Sequence, residues 1–173
     1  PLFQNSEISN YESFVLRNSG NDWTSTMLRD GYITSLANKT DIDHQLFRPA
    51  VIYLNGEYWG IQNIREKVNE HFLSSHHDIN PENIDLLDIQ GTNPENIVHG
   101  TNVDYLNLLD YLNNNDIRDP VIQSGIEGWI DINSFMQYQA FQIFIDNRDW
   151  PGNNIKFWRD HRTTGKWRWI LYD

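Results

Sequence analysis

Cysteine is absent from this 173-residue chain. It therefore carries no disulfide framework, and it fits a bacterial protein in either redox compartment. Basic residues are scarce: 13 Lys and Arg stand against 24 Asp and Glu, a formal net charge of −11. A nucleic-acid or anionic-membrane surface needs clustered cations, so this balance argues against both. Any phosphate-binding pocket must be made electropositive locally, through metal and arginine, against the overall field. No apolar run approaches membrane-spanning length, and no signal peptide is visible. Neither Gly-x-Gly-x-x-Gly nor His-Glu-x-x-His occurs. Enough apolar surface remains for folding, with 39% hydrophobic and 13% aromatic residues in about one domain's length.

The densest chemistry lies in Asn147-Arg148-Asp149-Trp150-Pro151-Gly152-Asn153-Asn154, followed by two short strands and Asp173. An Asp, an Asn five residues later and another Asp beyond a β-hairpin is how protein kinases place a catalytic base and two metal ligands. Before the loop, Asp131 is a plausible N-cap. The helix it opens would carry Phe135, Met136, Ala140, Ile143 and Phe144 as one apolar face. Asp146-Asn147 and the following Pro151-Gly152 stop it. Asn154 to Arg159 and Lys166 to Tyr172 then read as an antiparallel hairpin centred on Thr163-Thr164. Such a hairpin brings Asn154 and Asp173 together beside Asp149. Hard oxygen donors of this kind suit Mg²⁺ or Mn²⁺. The alternative is that Asp and Asn are common turn residues in a chain rich in both.

Elsewhere the pattern is one α+β unit without repeats or linkers. Asp22 to Asn38 reads as a helix with Met27, Leu28, Tyr32 and Leu36 on its apolar stripe. Arg48-Pro49 introduces a strand from Ala50 to Leu54, and Asn55-Gly56 turns it back through Glu57 to Ile64. A helix from Glu66 to Ser74, a turn at Asn80-Pro81 and a buried strand from Ile84 to Ile89 follow. Asn102 to Leu112 is amphipathic, with Val103, Leu106, Leu109, Tyr111 and Leu112 apolar. Asn113 to Gly128 reads as a loop or a partly helical insertion.

Four ordered segments resemble the spore-coat protein H (CotH) family of atypical secreted kinases. They are Phe14 to Trp23 continuing to Leu28-Arg29-Asp30, Val51 to Gly60 leading to Arg65-Glu66-Lys67, the Asp149 to Asn154 loop, and Trp169 to Asp173. The resemblance implies a partial kinase-like fold of short antiparallel hairpins packed on helices. It implies Asp149 as catalytic base, Asn154 and Asp173 as metal ligands, ATP with Mg²⁺ or Mn²⁺ as cofactors, and a Ser- or Thr-bearing protein substrate. It also implies an extracellular or cell-surface location. None of the four lysines, Lys39, Lys67, Lys156 and Lys166, matches the family's phosphate-gripping position. Residues 1–173 are therefore expected to be one piece of a larger catalytic core, nearly inactive alone.

Several residues keep two readings. Glu66 could orient a phosphate-binding Lys, or be a carboxylate in the first turn of a helix. Arg17 and Arg29 could meet nucleotide phosphates or make ion pairs. Trp150 could line a substrate groove or pack near Trp158 or Trp167. His71, His76 and His77 read as surface histidines rather than a zinc site. For the whole chain, the alternatives to a kinase are a non-catalytic surface or coat assembly module and, less well supported, a carbohydrate-binding or glycosidase domain.

Overall fold

The computed structural model describes residues 2–4, 6–91, 93–162 and 165–173, with side chains described throughout except at 93–95. Two sheets carry the fold. β1 (Phe14–Arg17), β3 (Phe47–Leu54) and β4 (Glu57–Glu66) form a three-stranded antiparallel sheet in the order β1-β4-β3. β2 (Asp43–His44), β5 (Ile84–Gln90), β6 (Asn93–His99), β7 (Ile155–Asp160) and β8 (Arg168–Leu171) form a second sheet, ordered β2-β8-β7-β5-β6. Among the described residues there are five α-helices: α1 (Arg29–Leu36), α2 (Glu70–His77), α3 (Val103–Asn114), α4 (Pro120–Trp129) and α5 (Ile132–Phe144). The architecture is α+β and consistent with a kinase-like fold.

Local chemistry accounts for the turns. Asn55 and Gly56 take φ of 51° and 86°, the pair of positive angles that a two-residue hairpin needs, and they join β3 to β4. Pro49 lies in β3, an edge strand, where its missing N–H costs no ladder bond. The β7–β8 pair is antiparallel, with Lys156 opposite Ile170 and Phe157 opposite Trp169. Thr163-Thr164, the expected centre of that hairpin, lies outside the described residues.

The core sits on both faces of the five-stranded sheet because its strands alternate. Ile84, Leu86, Trp158 and Ile170 point one way and pack with Phe72 and Leu73 of α2. Leu87, Ile155 and Phe157 point the other way and meet Trp167, Leu108 of α3 and Ile130. Tyr105, Phe157 and Trp167 make tilted and edge-on ring contacts there. A third cluster joins Ala37, Ile42, Tyr138 and Leu171.

Helix faces are where composition misleads. In α5, Asp131 does cap the first turn, accepting from Ser134 N at 3.1 Å. The buried stripe is Ser134, Tyr138 and Gln142, whereas Met136, Ile143 and Phe144 are exposed. Tyr138 fills the third cluster, and Gln142 Oε1 accepts from Asn147 Nδ2 at 2.8 Å, so packing and a polar tether choose the face. In α3 the buried residue is Leu108, supported by Tyr105 and Leu112, while Val103 and Leu106 are exposed. The insertion after residue 113 contains α4, with Asp119 capping it and Pro120 in its first turn. β6 has no counterpart in the sequence reading.

The expected helix from Asp22 to Asn38 shrinks to α1. Met27 takes a φ of 60°, which breaks the path, and Leu28, Tyr32 and Leu36 are exposed. Gly31, Thr34 and Ala37 form the buried face instead. The reason is contact: a Cβ at Gly31 would lie 2.4 Å from the Phe47 ring, so only glycine admits that strand. The helix expected from Glu66 starts at Glu70, capped by Asn69, whose side chain accepts from Phe72 N. His71 and His76 are exposed and His77 is half-buried; His76 bonds to Glu66 at 2.8 Å and His77 to Asp43 at 2.7 Å.

Asp22 clasps the segment before α1. Its carboxylate accepts from Thr26 Oγ1, from Leu28 N at 3.1 Å and from Arg29 N at 3.0 Å, and pairs with the Arg29 guanidinium at 3.3 Å. The Thr26 hydrogen bond foremost, with the Arg29 and Thr26 amides, holds its pKa down to about 2. A depressed carboxyl stabilises the fold above its unfolded pKa and loses that contribution as pH falls toward its folded one. Wild type is therefore expected to melt well above Asp22→Asn at pH 6, with the gap closing between pH 4 and about 2. Thermal melts of both proteins across that range check it; a gap constant with pH would show that the clasp carries no charge-dependent stability.

Candidate active site

The small sheet supplies one wall. Arg17 lies opposite Asn63, and Val15 opposite Arg65, so Arg17, Asn63 and Arg65 share one face. The segment carrying α1 covers that face, with Asn63 Nδ2 donating to Met27 O at 3.2 Å. Arg65 is only 2% exposed, among the largest fully buried side chains. It donates to Tyr172 O at 2.9 Å and pairs with Asp30 at 3.4 Å; its Nε finds no partner among the described residues. Arg17 donates to Asp173 at 2.8 Å and lies 3.5 Å from Asp30. Two arginines from the small sheet thus grip the end of β8 and the start of α1.

The loop after α5 supplies the facing wall. Asn147 Oδ1 accepts from Asp149 N at 3.1 Å, and Asp149 O accepts from Gly152 N at 3.1 Å. Asn153 Oδ1 accepts from Gly91 N at 3.2 Å, fastening the loop to the β5–β6 turn. Trp150 packs against the clusters holding Trp167 and Leu171, so it anchors the loop from inside and does not line the groove. Asn154 takes a φ of 57°, a left-handed conformation that Asn tolerates. The Asp149 carboxylate is exposed and has no hydrogen-bond or ion-pair partner among the described residues.

Between these walls opens a cleft of about 830 Å³, within the usual range of small-molecule sites. Arg17, Arg29, Asp149, Asn154 and Asp173 all line it. Glu66 does not. It follows Arg65 in β4 and so points to the opposite face, where it accepts from Leu46 N and from His76. No lysine lines the cleft among the described residues: Lys156, for one, pairs with Asp88 at 3.1 Å. The charged lining comprises Arg17, Arg29 and Arg148 against Asp22, Asp30, Asp146, Asp149 and Asp173. Arginine alone therefore leaves the cleft negative, and an anionic ligand needs a cation beside it. Among the described residues no three of His, Cys, Asp or Glu group closely enough to hold a metal. An ion here would take an amide or carbonyl oxygen and water together with its carboxylates.

Asp30 and Arg65 are the residues that sequence reading missed. Both adjoin residues it singled out, Arg29 and Glu66. The signal was the period of two: once Arg17 and Glu66 are placed in paired strands, Arg65 has to share the face of Arg17. Burial first, then the neighbouring Asp173 charge, raises the Asp30 pKa against the pull of Arg17 and Arg65. Burial likewise lowers that of Arg65.

Replacing Arg65 by Met should destabilise the protein by about 3 kcal/mol, the lower end for a broken buried pair because Asp30 is part-exposed. Denaturant unfolding checks this, and a loss under about 1 kcal/mol would mean that Tyr172 and Asp30 are held by other contacts.

The family described as CotH kinase protein matches residues 1–173, the length of the chain. No curated protein matches it. With the small sheet, the acidic loop and Asp173 just beyond β8 meeting at one cleft, the chain belongs to the CotH kinase protein family.

Proposed function

We propose that this protein is an ATP- and divalent-metal-dependent kinase that phosphorylates Ser or Thr on secreted or surface proteins. One observation carries this reading: Asp149, Asn154, Asp173, Arg17 and Arg29, drawn from three separate segments of the sequence, line a single cleft. Asp149 is the base. Its exposed carboxylate can accept, or orient, the proton of a substrate hydroxyl. Asn154 and Asp173 are the metal ligands, and their donor atoms are hard oxygens suited to Mg²⁺ or Mn²⁺. When bound, that ion would neutralise charge on the phosphates, which the acidic lining cannot do. Arg17 and Arg29 face the same space and supply guanidinium donors for phosphate oxygens. Glu66 has a structural role in this reading, tying β4 to α2 through His76.

Variant kinetics in the full-length protein that carries this segment test the assignment. Asp173→Ala should abolish or cripple metal-dependent binding of ATP, because the anionic ligand is gone. Asp149→Ala should still bind nucleotide while phosphoryl transfer falls by roughly 10²–10⁴. Asn154→Ala should fall between them, weakening the metal site without removing its charge. Calorimetric binding of Mg·ATP and transfer to a Ser-containing protein give the two readouts, with thermal melts checking each fold. If both Asp variants transfer phosphate as well as wild type, the kinase assignment fails. A protein that binds no nucleotide would instead be a kinase-shaped assembly module.

A further inference from the structure

The two arginines of the small sheet are held differently. Arg65 is 2% exposed and bonded to a backbone carbonyl, Tyr172 O, so it fixes the main chain that carries Asp173. Arg17 is 34% exposed, reaches into the cleft, and spends its hydrogen bond on the Asp173 carboxylate itself, at 2.8 Å. The oxygen it occupies belongs to the proposed metal ligand. A divalent cation on that carboxylate would sit within a few ångströms of a guanidinium, and two positive groups so close repel strongly away from bulk water. Asp30, 3.5 Å from Arg17, is already shared with Arg65 and offers only part of a second home. A triphosphate offers a full one.

We propose, on the metal–nucleotide reading of this cleft, that Arg17 is an exchange latch. In the empty site it neutralises Asp173 and opposes metal binding. When nucleotide arrives, Arg17 moves to phosphate oxygens and releases Asp173 to the metal. Metal and nucleotide then load together, each raising the affinity for the other by the same factor. No bond is made or broken; one ion pair is replaced by two. The latch also keeps Asp173 from capturing a divalent cation in the absence of a substrate to use it on.

The test is Mn²⁺ binding, followed by electron paramagnetic resonance, with and without a non-hydrolysable ATP analogue. In wild type the analogue should tighten Mn²⁺ by about 5–150-fold, the usual span of such coupling. Arg17→Met should bind Mn²⁺ alone more tightly than wild type by about the same factor. It should bind the analogue more weakly and lose most of the coupling. Arg17→Gln, which keeps a hydrogen-bond donor without the charge, should behave like Arg17→Met and guards against a misfolded first variant. Arg17→Lys should restore much of the coupling. If Mn²⁺ binds Arg17→Met and wild type equally, yet Asp173→Asn abolishes binding, the metal site stands and the latch is overturned. If neither Mn²⁺ nor the analogue binds any of these proteins, the latch and the kinase reading fall together.

Discussion

Everything at the cleft depends on one buried guanidinium. Arg65 crosses from the middle strand of the small sheet to Tyr172, just beyond β8, and to the start of α1, and it is almost completely removed from water. A buried charge is tolerated only where partners replace its hydration. Asp30 and the Tyr172 carbonyl are those partners, so the small sheet, α1 and β8 cannot shift relative to one another without stranding that charge. Arg17, two strand positions from the residue opposite Arg65, inherits its place from this arrangement. Asp173 follows Tyr172 and inherits its place likewise.

Charge then sets what the cleft can accept. Three arginines among five aspartates make a surface that repels a bare polyphosphate and attracts cations. Local pairing moderates both tendencies. Asp22 is consumed by Thr26 and the Arg29 backbone, Asp30 by Arg65, and Asp173 by Arg17. Asp149 alone among the proposed functional carboxylates is left without a partner among the described residues, which is the condition a proton acceptor requires.

Turns and most of the longer strands were legible in the sequence because their signals are local, whereas β1, β2 and β6 were not. Asn55-Gly56 needs only two residues to specify a hairpin, and the runs Ile84 to Ile89 and Asn154 to Arg159 announce strands by side-chain type. The Asp149, Asn154 and Asp173 spacing was readable for the same reason, since one loop and one hairpin connect them. Helix faces were not legible. Leu28, Tyr32, Met136 and Phe144 looked like core residues, yet the buried positions went to Gly31, Thr34, Tyr138 and Gln142. Those choices were made by Phe47 against Gly31 and by the Asn147 tether on Gln142, contacts between residues that no periodicity relates. Glu66 was misplaced for a similar reason: β4 runs two residues further than expected, through Glu66 itself, so the residue lies in the strand rather than in a helix.

None of the buried residues in the three apolar clusters belongs to β1, β3 or β4. The small sheet is joined to the rest mainly by polar side chains, Arg65, Arg17, Asn63 and Glu66 among them, and by the Phe47–Gly31 contact, while β5 and β7 are sandwiched between helices. Protection of amide protons from exchange with solvent follows from that division. Amides of β5 and β7 open only when the whole chain unfolds, whereas those of the small sheet open in a smaller, cheaper event that leaves the aromatic core intact. Added salt weakens the part-exposed Arg17 pairs that resist that event more than it weakens the buried Arg65 pair.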